Sequence, residues 1–304
     1  MAVRDLMLRM ADCRSVERLV RGSPILRPLV QRFIAGDSFD EALPRVRELN
    51  RCGMSVALDY LGENARSADE ARSAAAAYRG LVSRTAEAGL DAYLSLKLTQ
   101  LGLDLGDNVA EAHLSDIVAA ATDSRLLVRV DMEGSTYTER TLRTYARVRE
   151  RHPNVGAVIQ SYLYRSSGDV RMLNARGASV RLVKGAYREP ASVAHQRMRD
   201  VRRSFATLAE RLLDDGFQPA IATHDERLIE HASRYADRIG SSRDRWEFQM
   251  LYGIRRDLQD RLVAEGRRMR IYTPFGTEWY GYFMRRMAER PANTWFVLRH
   301  MARR

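Results

Sequence analysis

The sequence is poor in several residue types, and each scarcity excludes a class of protein or site. Its 304 residues include only 2 cysteines, 19 glycines and 8 prolines, which excludes a disulfide framework, a collagenous chain and a low-complexity chain. No Cys-x-x-Cys pair is present, and the six histidines form no His-x-x-x-His pair. We therefore expect no metal site.

Long apolar stretches are missing as well. No uncharged apolar segment approaches the ~20 residues that a helix needs to span a bilayer. Near the start, Arg4, Asp5 and Arg9 stand where a signal peptide would carry its apolar segment. The sequence therefore predicts a cytoplasmic protein.

The charge is strongly positive, yet lysine is almost absent. The 50 basic residues exceed the 39 acidic ones by 11, and only Lys97 and Lys184 are lysines. The arginines lie beside acids in helical segments, with no aromatic-interleaved basic patch, so we expect no nucleic-acid binding. A peripheral contact with an anionic inner membrane remains open. The two lysines are expected where a compact ammonium group is needed.

Short apolar runs alternate with amphipathic, helix-like stretches after a helical N-terminal extension, residues 1–50. Eight buried strands are predicted at Met54–Tyr60, Ala92–Leu98, Leu126–Asp131, Val155–Gln160, Ser179–Lys184, Pro219–Thr223, Trp246–Leu251 and Met269–Thr273. Such alternation over about 250 residues predicts an α/β fold, a (β/α)8 TIM barrel. We expect a single domain over 1–304, with the barrel at 51–290, a final helix from Trp279 to Glu289 and a tail at 291–304. The alternative, a doubly wound open sheet, would usually show a Gly-x-Gly-x-x-Gly turn after its first strand, and none is present.

Polar residues stand at the ends of the predicted strands. The C-terminal strand ends of a barrel surround one pocket, so these side chains are expected to line a common site. They are Glu63, Lys97, Asp131, Gln160, Lys184, Thr223, His224, Gln249 and Tyr272, together with Arg181, which opens the fifth predicted strand. Plainer explanations exist for single members: Asp131 could cap the following helix, and His224 could be a core residue with satisfied hydrogen bonds.

Cations dominate this set, and few acids are expected opposite them. Lys97, Arg181 and Lys184 are joined by Arg285 and Arg286 on the final helix. Adjacent arginines offer forked donors to a carboxylate. From the residues alone, we expect a barrel enzyme that acts on a small carboxylate, together with an anionic, phosphate-bearing cofactor.

Several motifs resemble the proline dehydrogenase family. They are Arg181-Leu-Val-Lys-Gly-Ala-Tyr187, Ala222-Thr-His224, Glu247-Phe-Gln249, Arg270-Ile-Tyr-Thr-Pro-Phe-Gly276 and Tyr282-Phe-Met-Arg-Arg-Met-Ala-Glu289. The resemblance runs in the family's order from about Ser95 to Phe296. It implies a flavoprotein on a distorted (β/α)8 barrel, with its final helix over the active site. Such an enzyme oxidises L-proline to 1-pyrroline-5-carboxylate by hydride transfer to N5 of FAD and passes the electrons to a quinone, the first step of proline degradation.

The resemblance also implies roles at the substrate end of the site. Lys97, Arg285 and Arg286 would hold the proline carboxylate, and Glu289 would steady the arginine pair. Asp131 would pair with neighbouring cations and organise the active site.

At the cofactor end, Arg181 would stabilise negative charge on the reduced flavin. Tyr272, Leu251 and Tyr187 would form an apolar wall around the substrate ring. The residues that the resemblance places against FAD are Met132, Gln160, Arg181, Lys184, Gly185, Ala186, Tyr187, Thr223, His224 and Gln249.

Other activities remain as alternatives. One is a dehydrogenase of 4-hydroxyproline or another cyclic secondary amino acid, although Tyr272 would clash with the ring hydroxyl. Another is a Schiff-base lyase that uses Lys97 or Lys184 as its nucleophile. The sequence makes no prediction about the oligomeric state.

Overall fold

The computed structural model describes residues 14–23 and 25–288. Its eight strands are β1 Ser55–Tyr60, β2 Ala92–Leu96, β3 Val128–Val130, β4 Val155–Gln160, β5 Val180–Val183, β6 Ala220–Ala222, β7 Glu247–Leu251 and β8 Met269–Phe275. Each strand pairs in parallel with the next, and β8 pairs with β1, so the sheet closes into a barrel. The predicted (β/α)8 barrel is confirmed, and the open doubly wound sheet is excluded.

Helices precede the barrel and alternate with its strands. Within the described ranges they are α1 Arg14–Arg21, α2 Arg27–Gln31, α3 Phe39–Arg51, α4 Ala68–Glu87, α5 Asp107–Asp123, α6 Ser135–Arg151, α7 Ser166–Ala175, α8 Met198–Asp215, α9 Glu226–Arg238, α10 Arg256–Ala264 and α11 Trp279–Ala288. Serine caps fix two of the helix starts: the Ser38 side chain accepts a hydrogen bond from the Glu41 backbone N–H, and Ser67 does the same for Glu70.

The strand boundaries differ from the predicted ones at several ends. Lys97, Asp131 and Lys184 each stand one residue beyond their strands, because pairing with the neighbouring strand has already ended. Strand β8 instead continues past its predicted end, through Pro274. That proline has no N–H to pair, but its carbonyl accepts a hydrogen bond from the Ala35 N–H at 2.9 Å.

Two large apolar clusters stabilise the described part of the chain, besides a small third one of Tyr162, Leu163, Ala194 and Val201. The barrel core packs the strands against the surrounding helices, and α3 joins it through buried residues such as Phe39 and Val46. The other, which we call the outer cluster, joins the α1–α2 region to α11. It contains Val20, Leu26, Val30, Phe33, Ile34, Leu61, Ile254, Trp279, Tyr280, Tyr282, Phe283, Met284 and Met287. The outer cluster holds α11 at the C-terminal ends of the strands.

The described part of the chain contains no helix with both the length and the apolar character needed to cross a membrane. Residues 1–13 of the predicted helical extension lie outside the described residues, as do Glu289 and the predicted tail.

Candidate active site

A cavity of about 800 Å³ opens at the C-terminal ends of the strands. This volume is typical of sites for small molecules and cofactors. The predicted site residues that line it are Lys97, Asp131, Met132, Gln160, Arg181, Lys184, Gly185, Ala186, Tyr187, Thr223, His224, Gln249, Leu251, Tyr272, Arg285 and Arg286. Of the other predicted residues, Glu289 lies outside the described residues, and Glu63 does not line this cavity. The barrel thus brings together side chains that are up to 189 positions apart in sequence, from Lys97 to Arg286.

Arg181 lies on the floor of this cavity and is only 4% exposed. Its Nη1 donates to Asp131 Oδ1 at 2.6 Å and to Ser95 Oγ at 3.2 Å, while its Nε donates to Gln249 Oε1 at 2.6 Å. Burial alone would lower the pKa of the guanidinium, but the negative charge of its neighbours outweighs burial and raises that pKa. Arg181 is therefore a fixed, buried cation.

Tyr272 contributes a hydrogen bond as well as its ring. Its hydroxyl donates to Asp131 Oδ2 at 2.8 Å, and the guanidinium carbon of Arg181 lies 5.1 Å from the centre of its ring. Burial raises the pKa of the Tyr272 hydroxyl well above its ordinary value, so this group stays protonated and remains a donor. The side chain predicted as an apolar wall thus also orients Asp131.

Lys97 faces a carboxylate that the sequence analysis missed. Its Nζ lies 3.5 Å from Oδ1 of Asp59, a β1 residue with no exposed surface. Burial raises the pKa of Asp59, and the attraction of Asp59 and Asp131 outweighs burial to raise the pKa of Lys97. The expectation that few acids face the cations is therefore wrong at this position.

A second acid pairs with the final helix. Arg285 on α11 lies 3.3 Å from Glu63 Oε1, in the loop after β1. Both side chains are about one-third exposed, so the pair itself adds little stability. Close by, burial raises the pKa of Tyr187 to about 12, which keeps its hydroxyl protonated. Glu63 was noted in the sequence because it follows the first predicted strand. In the structure it pairs with Arg285.

The cavity is lined by several further charged side chains. Asp225 Oδ2 accepts hydrogen bonds from Lys184 Nζ at 2.6 Å and from Arg202 Nε at 2.7 Å. Arg227 and Arg255 also line the cavity. These three arginines were not predicted from the sequence, because arginine is common throughout the chain and does not by itself indicate a site.

Two predicted cofactor residues are also held by hydrogen bonds. His224 Nε2 accepts from the Leu251 N–H at 2.9 Å, so this ring nitrogen carries no hydrogen. Gln160 donates through Nε2 to the Glu133 carbonyl at 2.7 Å. Both side chains thus have fixed orientations. No cluster of three or more His, Cys, Asp or Glu side chains suited to a metal ion occurs in residues 14–23 and 25–288.

Comparison with known proteins identifies the family. The family model described as proline dehydrogenase matches residues 42–299. The chain is 42% identical over 269 residues to proline dehydrogenase 1 of Bacillus subtilis (strain 168), covering 88% of this chain and 89% of that protein. It is 39% identical over 303 residues to the proline dehydrogenase of Deinococcus radiodurans, covering 98% of this chain and 97% of that protein.

A similar solved structure is larger than this chain. It is proline utilization A from Bdellovibrio bacteriovorus inactivated by N-propargylglycine, with a TM-score of 0.82 and 25% sequence identity. The match covers 93% of this chain and 36% of that one, so this chain spans about a third of its length. The matches to the family model and to full-length relatives show that the chain belongs to the proline dehydrogenase family.

Proposed function

We propose that this oxidoreductase oxidises L-proline to 1-pyrroline-5-carboxylate, with FAD as its cofactor and a quinone as its electron acceptor. The observation that carries the proposal is one cavity in which the buried Arg181–Asp131 pair lies among the cations Lys97, Arg285 and Arg286. Membership of the family supports proline as the substrate, and proline oxidation would begin proline catabolism. The net charge of +11 would favour peripheral contact with an anionic membrane that holds the quinone.

The residues of the cavity fit FAD. A volume of about 800 Å³ leaves room for a large cofactor, and Lys184, Arg202, Arg227 and Arg255 supply positive charge for its phosphates. Gly185 contributes backbone without a side chain. Its φ is +115°, and a Cβ there would lie 2.4 Å from the Tyr162 ring, so no other residue fits. When bound, FAD would accept the hydride from the substrate carbon at N5.

The substrate end of the cavity is built to hold a carboxylate. We assign the proline carboxylate to Lys97, which directly follows β2, and to Arg285 and Arg286 on α11, all of which line the cavity. Clamping an anion from two sides fixes the substrate ring in one orientation, and such positioning supplies much of the catalysis in a reaction that needs no side-chain nucleophile. The substrate amine must be neutral when hydride leaves the adjacent carbon.

Arg181 and its hydrogen-bond partners would act on the cofactor rather than on the substrate. As negative charge develops on the reduced cofactor, a preorganised cation stabilises it without further rearrangement. Asp131, Gln249 and Ser95 fix this guanidinium on the cavity floor. Tyr272 holds Asp131 from the opposite side and presents its ring to the substrate.

A visible spectrum tests the proposal directly. We expect the purified protein to show a flavin band that bleaches when L-proline is added without air and that returns with a quinone analogue. Trans-4-hydroxy-L-proline at the same concentration serves as the matched comparison. Faster bleaching by hydroxyproline would overturn the substrate assignment, and a protein that takes up no FAD would overturn the cofactor assignment.

The carboxylate clamp leads to a second prediction. Arg285→Ala should raise the Kd for L-proline about 10- to 100-fold, because a hydrogen bond to a charged group contributes about 1.5–3 kcal/mol. The Kd for FAD should change little. Arg256→Ala is the control, since Arg256 is exposed on α10 and does not line the cavity. Equal losses of proline and FAD binding in Arg285→Ala would mean that Arg285 is structural support.

A further inference from the structure

A tyrosine hydroxyl lies inside the barrel beneath the Arg181–Asp131 pair, and it receives hydrogen bonds from three sides. Tyr93 on β2 is 4% exposed. Its oxygen accepts from Gln249 Nε2 at 2.7 Å, Arg181 Nη2 at 3.0 Å and Arg129 Nε at 3.1 Å. Within the described residues, every hydrogen bond recorded at this oxygen is donated to it.

Of the three partners of the Tyr93 oxygen, only Gln249 has an acceptor atom that could receive a hydrogen bond from the phenol. Its side-chain orientation excludes this. Its Oε1 faces Nε of Arg181 at 2.6 Å, and its Nε2 faces the carboxylate of Glu247 at 2.6 Å. A 180° flip of the Gln249 amide would bring its oxygen next to the Glu247 carboxylate and its NH₂ group next to the Arg181 guanidinium, and neither contact is a hydrogen bond. Gln249 therefore presents a donor to Tyr93, and the two arginines have only donors.

The charges around Tyr93 also favour its ionised form. Three guanidinium carbons lie near the centre of its ring, from Arg270 at 4.3 Å, Arg129 at 5.2 Å and Arg181 at 5.9 Å. Arg181 pairs with Asp131 at 2.6 Å, and Arg270 pairs with Glu247 at 2.8 Å. Two of the three cations thus have their own carboxylates.

Arg129 is the third cation, and it is only 2% exposed. Besides Tyr93, its hydrogen bonds go to the Ala157 and Ser179 carbonyls and to Ser179 Oγ, all of them neutral groups. No carboxylate of the described residues forms a salt bridge with it. A buried cation without a counterion is strongly destabilising. The charge of Glu247 reaches Arg129 without a salt bridge, so among the described residues the Tyr93 oxygen is the ionisable group in direct hydrogen-bond contact with this guanidinium.

The effect of this environment on Tyr93 is the net result of opposing influences. Burial, the largest single influence, raises the pKa of the hydroxyl, and the charge of Glu247 acts in the same direction. The combined attraction of Arg129, Arg181 and Arg270 outweighs both, and the pKa of Tyr93 is lowered from its ordinary value of 10.0.

We propose that Tyr93 is ionised at neutral pH, and that its phenolate is the counterion of Arg129 and a positioning residue for Arg181. The buried floor then contains three guanidiniums balanced by Asp131, Glu247 and the phenolate. The ionisation follows from the barrel interior alone, whereas the consequence for catalysis rests on the proposed function, because it acts through Arg181.

The consequence for catalysis is a change in the positive charge that Arg181 presents to the cofactor. Arg181 is held between two anions, so the positive field that it adds to the cavity is smaller than that of an isolated guanidinium. Removing the phenolate should strengthen this field and stabilise a reduced, negatively charged cofactor. We therefore expect Tyr93→Phe to shift the reduction potential of the bound flavin to a more positive value.

The ionisation is tested by ultraviolet spectra of the holoenzyme, taken at neutral pH and at equal protein and flavin content. The spectrum of the native protein minus that of Tyr93→Phe should contain a phenolate band equal to 1 of the 13 tyrosines. Tyr145→Phe is the matched control, since Tyr145 is also buried and its hydroxyl has no hydrogen-bond partner among the described residues. Its difference spectrum should contain only the band of a neutral phenol. A phenol band alone for Tyr93→Phe would overturn the proposal.

Thermal stability supplies a second test that needs neither substrate nor turnover. Tyr93→Phe and Arg129→Met each break the balance of charge, so each should lower Tm, and the double variant should be destabilised by less than the sum of the two. Arg129→Met also removes the hydrogen bonds to the Ala157 and Ser179 carbonyls, so its Tm falls in either case, and the coupling is the decisive quantity. If Tyr93 were neutral, the two variants would share only one hydrogen bond and their losses would nearly add, which would contradict the proposal. Flavin bleaching by L-proline is measured in a separate experiment. If that experiment failed, the Tm comparison would still test the ionisation of Tyr93.

Discussion

Replacing Arg181 with methionine is expected to slow the reduction of bound flavin by L-proline about 100- to 1,000-fold, the loss typical when one preorganised donor to developing charge is removed. Methionine replaces the aliphatic part of the arginine side chain, but it cannot make the hydrogen bonds to Asp131, Gln249 and Tyr93. The variant also leaves Asp131 buried without its cation, which should cost about 3–5 kcal/mol of the free energy of unfolding. Anaerobic stopped-flow at saturating L-proline, normalised to flavin content, measures the rate.

A surface arginine provides the control for that variant. Arg234 is exposed on α9 and pairs with Glu230 four residues earlier, so Arg234→Met should change the unfolding free energy by less than about 0.5 kcal/mol and leave the rate unaltered. If Arg181→Met reduces its flavin at a near-native rate, the assignment of Arg181 to the reacting centre is wrong.

Replacing Lys97 with methionine is expected to have two separable effects. Loss of the ammonium group leaves Asp59 buried without its cation, which should cost about 3–5 kcal/mol of unfolding free energy. It also removes one of the three cations assigned to the proline carboxylate, which should raise the Kd for L-proline about 10- to 100-fold. Chemical denaturation and a titration of the anaerobic flavin spectrum measure the two effects.

A double variant separates structure from binding. Lys97→Met combined with Asp59→Asn removes both charges, so it should regain much of the lost stability while L-proline still binds weakly. Recovery of both quantities would mean that Lys97 serves only to balance Asp59. Lys97→Arg should also impair activity despite its charge, because a planar guanidinium does not match a site shaped for a compact ammonium. A near-native Lys97→Arg enzyme would contradict the argument from the scarcity of lysine.

The barrel could be predicted because its strands are short apolar runs between amphipathic stretches. All eight predicted strands are confirmed, and β4 has the same bounds in both descriptions, Val155–Gln160. The differences at strand ends have a physical cause. Whether Lys97 belongs to β2 depends on where the neighbouring β3 stops pairing, and that is a property of the adjacent strand.

The site could be predicted in part for a similar reason. Lys97, Asp131 and Lys184 were predicted because charged residues at C-terminal strand ends converge when a barrel closes. Arg181 was predicted from the opening of the fifth strand, and the structure places it inside β5. Tyr93 and Arg129 were missed because they lie within strands, and the side chains that meet across the interior depend on the stagger of the closed sheet. The signal available was a charged residue inside an otherwise apolar strand, such as Arg129 in β3.

Because the outer cluster is separate from the barrel core, we expect each to behave as a cooperative unit of its own. Proteins open in such units with free energies that range from near zero to that of global unfolding, and the unit that carries α11 is the smaller one. It should therefore detach more readily than the barrel unfolds. A ligand that touches Lys97 on one unit and Arg285 on the other binds only when both are assembled. Because it binds only the assembled state, such a ligand would stabilise both units together by mass action. The two units should then unfold in a single transition.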